Sequence, residues 1–345
     1  MSANLIMFGE DWGSRPSSTQ HLARALVADR KILWISSIGL RRPRFDRHDI
    51  ARLCHKLANG VRRSPNPLDD RPPPSGLTVA APFVLPFPGN RLAGRINREL
   101  LARQLRPIIQ RLHIERPILW TSLPSAVCVL GALGERAVVY YCGDDFGVLV
   151  GVDHTAAREM ESRLIERANL ILAASKPLVE RFPSERTLYV PHGVDFDRFT
   201  TPAPRAVDLP KDRPIAGFYG SLSDRLDLDM LAKAARDLPD WWFVLIGAGQ
   251  TDLGALADVE NIRLLGPRPY EQLPSYIQYW AVALIPFRDT PQIRHADPLK
   301  LREYLASGIP VASTPFPALT PFAQLVAVTN DRNRFANAIG VSCIG

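Results

Sequence analysis

The sequence is poor in cysteine, with four in 345 residues (Cys54, Cys128, Cys142 and Cys343) and no CxxC pair. That spacing argues against a zinc site and against a disulfide framework. Long apolar runs are also missing, because no stretch reaches the ~20 residues that a membrane helix needs. The start "MSANLIMFGEDWG" lacks the basic segment and the apolar core of a signal peptide. We therefore expect a cytoplasmic protein.

A GxGxxG motif is absent as well. The first apolar run is followed by "FGEDWGSRPSSTQHLARAL", so the main support for a dinucleotide cofactor is missing. Gly13 lies in this turn and His21 lies within the helix predicted to follow. His21 either faces a ligand or is an ordinary packed or surface histidine. No cofactor is predicted from this segment.

Positive charge is concentrated in the first third of the chain. Residues 1–116 carry 20 Lys and Arg against nine Asp and Glu, whereas the remaining residues carry 22 against 26. This surplus suits anionic lipid, a phosphate-bearing substrate or nucleic acid, and it also fits a solvated surface without a partner. Basic and aromatic residues do not alternate as they do in single-strand binders, so we expect no nucleic acid partner.

Short apolar runs alternate with helical patterns along the chain. In the first half the runs are "NLIMFG", "KILWISS", "LTVAAP", "PILWTS", "AVVYYCGDD", "LILAAS" and "LYVPHG". Near-continuous apolar strands separated by helices are typical of a parallel sheet covered on both faces. The alternation resumes after the Pro-rich "TTPAPRAVDLPKDRP". We predict an α/β fold with one domain at residues 1–200, a linker at 201–213 and a second domain at 214–345, with a ligand cleft between the domains.

Residues 40–77 interrupt this pattern in the first domain. They are rich in charge and proline and lack strand periodicity. We predict a partly helical excursion and a loop on the surface of the domain.

"GFYGSLSDRLDLDML" predicts a strand-to-helix junction in the second domain. The strand runs to Phe218, Gly220 and Ser221 form a tight turn, and a helix begins near Asp227. A helix start offers free N–H groups, Gly220 lets an anion approach the backbone, and Arg225 adds charge. Because glycine turns follow most parallel strands, a turn without a ligand stays the alternative.

"HADPLKLREYLASGIPVAST" predicts a second junction of this kind. Asp297 is the expected N-cap and Pro298 the first helical residue. Lys300 and Glu303 then lie on one face near the positive helix end, within reach of a diphosphate and a ribose. The alternative is a surface pair three residues apart, which stabilises a helix by only about 0.2–0.5 kcal/mol.

"VVYYCGDDFG" ends a strand of the first domain with two adjacent carboxylates, Asp144 and Asp145. If the two side chains alternate in direction, one faces the cleft while the other caps the next turn. An aspartate that faces a substrate hydroxyl is a candidate general base. An aspartate turn without chemistry stays the alternative.

Several segments, in order, resemble the GT-B glycosyltransferases of the bacterial polysaccharide and teichuronic-acid type, which use nucleotide-sugar donors. "ERANLILAASKPLVERF" through "LYVPHGVDFDRF" is similar to the end of the family's N-terminal domain. "GFYGSLSDRLDLDML", "NIRLLGPRPYEQLPSYIQYWAVALIPF" and "DPLKLREYLASGIPVAST" resemble the C-terminal domain, and the last is the most specific. The likeness covers most of residues 135–330. It implies two Rossmann-like parallel-sheet domains, with the donor held mainly by the second.

By position, the resemblance implies that Glu303 contacts the donor ribose. It implies that Lys300 binds the diphosphate, as in a membrane-associated glucuronosyltransferase, and that Gly220 and Ser221 face the phosphates. Members of the family generally need no metal ion, because a helix dipole and basic residues neutralise the leaving diphosphate. The remaining implied residues are Arg225 and the helix start at Asp297 on the donor side, Asp144 or Asp145 as base, and Gly13 and His21 on the acceptor side.

The resemblance implies a hexosyltransferase-like enzyme that uses a UDP- or GDP-sugar and a lipid-linked or polysaccharide acceptor. Its basic first domain is expected to lie on the anionic inner face of the plasma membrane. Two departures keep alternatives open. His295 stands where many retaining members have a second glutamate, and the ending "DRNRFANAIGVSCIG" replaces the usual C-terminal crossing helix. The alternatives are a UDP-sugar epimerase of the same architecture, an inactive truncated nucleotide-binding protein and, more distantly, an NAD-dependent oxidoreductase.

Overall fold

The computed structural model describes residues 3–13, 17–38, 73–149 and 152–342, so most of the excursion predicted at residues 40–77 lies outside the described residues. The chain divides into two compact units, Met1–Pro191 and His192–Gly345. The boundary between the units, after Pro191, lies before the predicted linker at residues 201–213. Those residues pack on the second unit, where Leu209 is buried and the Ala206 amide donates to the Ser275 carbonyl oxygen at 3.0 Å.

The first unit contains a seven-stranded parallel sheet in the order β3-β2-β1-β4-β5-β6-β7. Each strand overlaps one of the seven apolar runs identified in the sequence. The inner strands are buried on both faces, which is why their residues are apolar without alternation. The strands are β1 Leu5–Phe8, β2 Ile32–Ile35, β3 Leu77–Ala80, β4 Ile118–Thr121, β5 Ala137–Cys142, β6 Leu170–Ala173 and β7 Thr187–Tyr189.

Helices cover both faces of this sheet. Side-chain oxygens of Ser17, Asn90 and Asp153 each accept a hydrogen bond from the backbone N–H three residues later, which starts the three longer helices. The helices are Ser18–Leu26, Arg91–Arg111, His154–Arg167 and Lys176–Val179, and a 3₁₀ helix spans Pro124–Val129. The main apolar core lies between the sheet and the helices Arg91–Arg111 and His154–Arg167.

The second unit contains a six-stranded parallel sheet in the order β10-β9-β8-β11-β12-β13. Its strands are β8 Ile215–Tyr219, β9 Trp242–Ile246, β10 Ile262–Gly266, β11 Val282–Ile285, β12 Val311–Ser313 and β13 Val326–Val328. Its helices are Phe196–Thr200, Leu228–Asp237, Gly254–Ala257, Pro274–Ile277, Pro291–His295, Leu299–Ala306 and Phe335–Ser342. The predicted α/β class with two parallel-sheet domains is confirmed.

In both sheets the strand order reverses beside the first strand of the unit. β1 lies between β2 and β4, and β8 lies between β9 and β11. Open α/β sheets bind ligands outside the carboxyl ends of their strands at such a switch point. In the second unit this point is the turn after Tyr219, where the sequence places Gly220 and Ser221.

Candidate functional site

Two glycines form the turn at the switch point of the second unit. Gly220, which follows β8, has φ of +134°, and Gly247, which follows β9, has φ of +154°. Both values lie in the region that favours glycine. A Cβ on Gly247 would overlap the Gly220 carbonyl oxygen, and a Cβ on Gly220 would lie 2.5 Å from Lys300 Nζ. The two strand ends therefore approach closely, and the Lys300 ammonium lies directly beside the turn.

Lys300 extends from the helix Leu299–Ala306 into a group of aromatic rings. Its Nζ lies 4.2 Å from the centre of the Phe218 ring, 5.2 Å from that of Phe287 and 5.9 Å from that of Tyr219. Among the described residues, no carboxylate forms an ion pair with it. Burial, with a smaller contribution from Arg225, lowers the pKa of Lys300 to about 7. A cation without a counter-ion beside an open backbone turn is suited to an anionic ligand.

Arg225 and Ser221 lie in the loop that leads from β8 into the next helix. Arg225 Nε donates to Ser223 Oγ at 3.4 Å, and within the described part of the chain Arg225 has no ion-pair partner. As predicted, the helix Leu228–Asp237 begins at Asp227, whose carboxylate accepts from the Met230 amide at 3.0 Å. The loop therefore brings a second cation near Lys300.

Glu303 lies one turn further along the same helix and is only 1% exposed. Its Oε1 accepts a hydrogen bond from the Tyr270 hydroxyl at 2.8 Å, whereas its Oε2 is buried without a partner. Burial, with a contribution from the Asp195 carboxylate, raises the pKa of Glu303 to about 8. A buried polar atom without a partner is costly, so the orphaned oxygen points to a ligand that donates hydrogen bonds.

Asp297 does not cap the helix as predicted. The N-cap residue is Pro298, and no side chain caps the helix Leu299–Ala306. The Asp297 carboxylate instead pairs with Arg302 on the next turn and accepts from the His192 amide at 3.3 Å. The prediction was wrong because Asp297 is drawn into a buried ion pair, and its contact with a donor stays a prediction.

In the first unit, Asp145 belongs to a buried network. Its carboxylate pairs with Arg181 at 2.9 Å and accepts from the Gly147 amide at 2.9 Å, so Asp145 caps the turn after β5. Arg181 also pairs with Glu161 at 3.1 Å, and Glu161 accepts from the Tyr140 hydroxyl at 2.6 Å. Asp144 is half-buried beside it. The structure thus gives Asp145 a structural partner, and the base role of either aspartate stays a prediction.

Gly13 and His21 lie near the carboxyl end of β1. The Gly13 amide donates to Gln20 Oε1 at 3.0 Å, and His21 is a half-buried residue of the helix Ser18–Leu26. Sequence reasoning missed Glu10, whose carboxylate accepts from Gln20 Nε2 at 2.8 Å and from the Ser17 hydroxyl. Burial raises the pKa of Glu10. The acceptor-side roles stay predictions.

Sequence reasoning also missed three residues that shape the donor-side turn. Gly247 follows an apolar strand in "WWFVLIGAG", the same signal that identified Gly220. Tyr304 accepts a hydrogen bond from the Tyr219 amide at 3.0 Å and so fixes the end of β8. Tyr270 lies 33 residues before its partner Glu303, and no local pattern indicates that contact.

Two absences concern only the described part of the chain. It contains no group of three or more His, Cys, Asp or Glu side chains that could hold a metal ion. None of its helices combines the length and apolar character needed to cross a membrane.

Comparisons with known proteins agree with this arrangement. Residues 213–341 match the family model described as "Glycosyl transferases group 1". The chain is 26% identical over 251 residues to TuaH of Bacillus subtilis (strain 168), named as a teichuronic acid biosynthesis glycosyltransferase. That match spans 65% of this chain and 63% of the relative.

Solved structures show the same fold. Anabaena Alr3699/HepE in complex with UDP and glucose aligns with a TM-score of 0.65 at 14% identity, over 99% of this chain and 89% of that one. The α,α-trehalose-phosphate synthase (UDP-forming) of Burkholderia xenovorans also aligns with a TM-score of 0.65 at 14% identity, over 99% and 92%. At this identity the likenesses show the fold alone, and that fold is the two-domain GT-B arrangement that the resemblance implies.

Proposed function

We propose that this chain, a GT-B protein with a group 1 glycosyl transferase domain at residues 213–341, transfers a sugar from a nucleotide-diphosphate donor to an acceptor. One observation carries the proposal. A single helix presents a lysine without a counter-ion, Lys300, and a buried carboxyl with an orphaned oxygen, Glu303. The first suits a diphosphate and the second suits ribose hydroxyls, so together they match the two polar parts of a nucleotide-sugar.

In this proposal Lys300 and Arg225 neutralise the diphosphate, which approaches the backbone at Gly220. The ribose hydroxyls donate to Glu303 Oε2, which satisfies the orphaned oxygen. During transfer, the acceptor hydroxyl attacks the anomeric carbon and loses its proton to a general base, while the bond from the sugar to the phosphate breaks. The electron pair of that bond leaves with the nucleoside diphosphate, whose new charge Lys300 stabilises.

For the base we propose one of the two aspartates that follow β5, Asp144 or Asp145. The carboxylate of Asp145 is held by Arg181 and the Gly147 amide. A general base must reach the acceptor hydroxyl and accept its proton in the transition state. Turnover of Asp144→Asn and Asp145→Asn separates the two.

Several observations support the substrate class. Alr3699/HepE forms a complex with UDP-glucose, which favours a UDP-sugar over a GDP-sugar as the donor. The likeness to TuaH favours an acceptor used in cell-surface polysaccharide synthesis, either a lipid-linked sugar or the polymer itself. Transfer to such an acceptor would take place at the membrane, where the basic residues of the first unit would contact anionic lipid.

The experiment is a transfer assay with sugar-labelled UDP-glucose, UDP-glucuronic acid or GDP-mannose, each with and without a bacterial membrane lipid extract. We expect one donor to transfer label to the lipid or polymer fraction and to release its nucleoside diphosphate. Lys300→Met and Glu303→Gln should abolish transfer, while Lys233→Met, a surface lysine of the same unit, should retain it. An epimeric sugar formed from donor alone would contradict the proposal and favour the epimerase.

A further inference from the structure

The first unit contains a cavity whose described lining includes none of the residues named for the donor side. Its volume is about 680 Å³, and it lies between the helices Arg91–Arg111 and His154–Arg167. Both helices pack against the 3₁₀ helix Pro124–Val129, which contributes Ser125, Val127 and Cys128 to the cavity wall. The cavity is thus part of the helical layer of this unit, and its described lining residues all belong to the unit.

Arginine dominates the charge of this cavity. Five arginines line it, whereas Glu159 is the one acidic residue among the described lining residues. None of the five forms an ion pair with any carboxylate that the structure describes, although two of them hydrogen-bond the Leu130 carbonyl oxygen. Arginine is suited to phosphate because its planar fork donates two parallel hydrogen bonds. The five are Arg91, Arg95, Arg98, Arg163 and Arg167.

A second, independent observation points to a ligand. Ser125 lines the cavity and is 6% exposed, and its Oγ is buried without a hydrogen-bond partner. The 21-residue helix that begins after Asn90 also starts at the cavity and has no acidic residue in its first turn. The cavity therefore combines an unsatisfied hydroxyl, a positive helix end and uncompensated arginines.

Apolar residues complete the wall. Val84, Leu85, Phe87 and Met160 line the cavity, and Phe87 is 49% exposed. Leu92 and Ile96 are exposed on the helix Arg91–Arg111, one turn apart. Burial raises the pKa of the Cys128 thiol to about 11, so this side chain adds no negative charge at neutral pH. A purely hydrophilic anion would not use the apolar part of this wall.

We propose that the cavity binds the phosphate or diphosphate head of an amphiphile, with the arginines around the phosphate oxygens and the apolar wall along the attached chain. Arg95 and Arg163 lie on the two facing helices and clamp the head group, while Ser125 Oγ donates to it. The site lies in the first unit and uses none of the donor-side residues, so its test is separate from the test of nucleotide binding.

The test is titration of the full chain with dodecyl phosphate below its micelle concentration and with inorganic pyrophosphate. The cavity variant is Arg95→Gln/Arg163→Gln. Its matched control is Arg103→Gln/Arg136→Gln, which removes the same charge from exposed arginines that do not line the cavity. We expect dodecyl phosphate to bind wild type and control alike and to bind the cavity variant about tenfold or more weakly. Inorganic pyrophosphate should bind wild type more weakly than dodecyl phosphate.

Equal loss of affinity in the cavity variant and the control would overturn the proposal, because it would show general charge attraction only. Equal affinity for dodecyl phosphate and pyrophosphate would remove the role of the apolar wall and also overturn it. Ser125→Ala should weaken dodecyl phosphate binding without lowering the melting temperature, whereas a merely structural serine would show the reverse. UDP binding by each variant reports separately on the donor side.

Flotation with vesicles distinguishes the two sources of such a head group. Phosphatidylcholine vesicles with and without phosphatidylglycerol are compared for the cavity variant and the control. If the cavity variant alone loses binding to the anionic vesicles, the cavity holds a membrane phospholipid. If both variants keep that binding while dodecyl phosphate binding is lost in the cavity variant, the cavity holds an individual amphiphile.

Discussion

Nucleotide binding should weaken as the pH rises above 7, because Lys300 then loses its charge. With a pKa of about 7, Lys300 is charged in about half of the free molecules at pH 7 and in about 3% of them at about pH 8.5. If only the charged form binds the diphosphate, the apparent dissociation constant scales inversely with that fraction. The ratio of the UDP affinity of wild type to that of Lys300→Met should therefore fall roughly 16-fold between these two pH values.

The assay is calorimetric titration with UDP at both pH values for wild type and Lys300→Met. Phosphate groups with a second pKa near 6 are already ionised across this range, so the ligand changes little. Glu303, whose pKa is raised to about 8, titrates in both proteins and cancels in the comparison. If the ratio of the two UDP affinities stays constant between the two pH values, the reasoning is refuted.

Three further predictions concern stability. Burial lowers the pKa of Lys300 in the folded protein, so keeping this lysine costs stability at pH 7 and Lys300→Met should raise the melting temperature of the nucleotide-free protein. This increase should become smaller as the pH approaches the unfolded-state pKa of about 10.4. Gly220→Ala should cost about 1–3 kcal/mol in urea unfolding and weaken UDP binding, because its φ is +134° and its Cβ would meet Lys300. Arg181→Met should cost roughly 3 kcal/mol in urea unfolding, because it removes the cation that pairs with two buried carboxylates, Asp145 and Glu161.

Each of these predictions has a control within the chain. If Lys300→Met raises the melting temperature by the same amount at every pH, the lowered pKa of Lys300 is contradicted. Gly308 also has positive φ, +70°, but open space at its Cβ, so Gly308→Ala should cost stability without weakening UDP binding. If both glycine variants weaken UDP binding equally, the contact between a Cβ at Gly220 and Lys300 is not the cause of the loss. Arg332→Met breaks more exposed pairs and should cost under about 1 kcal/mol; a similar cost for Arg181→Met would contradict the buried network.

The sheets could be predicted from the sequence because strands buried on both faces leave unmistakable apolar runs. The helix start at Asp227 was predictable for a local reason, since an N-cap contacts an amide three residues later. The same reasoning failed at Asp297, because Arg302 and the His192 amide compete for its carboxylate. A local sequence pattern does not show which residues elsewhere in the chain hydrogen-bond or pair with a polar side chain.

The site could be predicted only in part. Lys300 and Glu303 were identified by their spacing on one helix and by resemblance. Their environments depend on residues that are distant in sequence: Phe218 lies 82 positions before Lys300, and Tyr270 lies 33 before Glu303. Burial and the missing partner of Glu303 Oε2 are properties of the packed chain. Both follow from tertiary contacts, so no sequence window contains them.

The most direct test of the donor side is the affinity for UDP at pH 7 of wild type, the double variant Lys300→Met/Glu303→Gln and the surface control Lys233→Met. Each lost charge-assisted or buried contact should weaken binding roughly tenfold, so the double variant should bind about 100-fold more weakly than wild type. The control should match wild type, because Lys233 pairs with Asp237 on the surface of the same unit. Equal UDP affinity in all three proteins would contradict the assignment of the nucleotide-sugar site to Lys300 and Glu303.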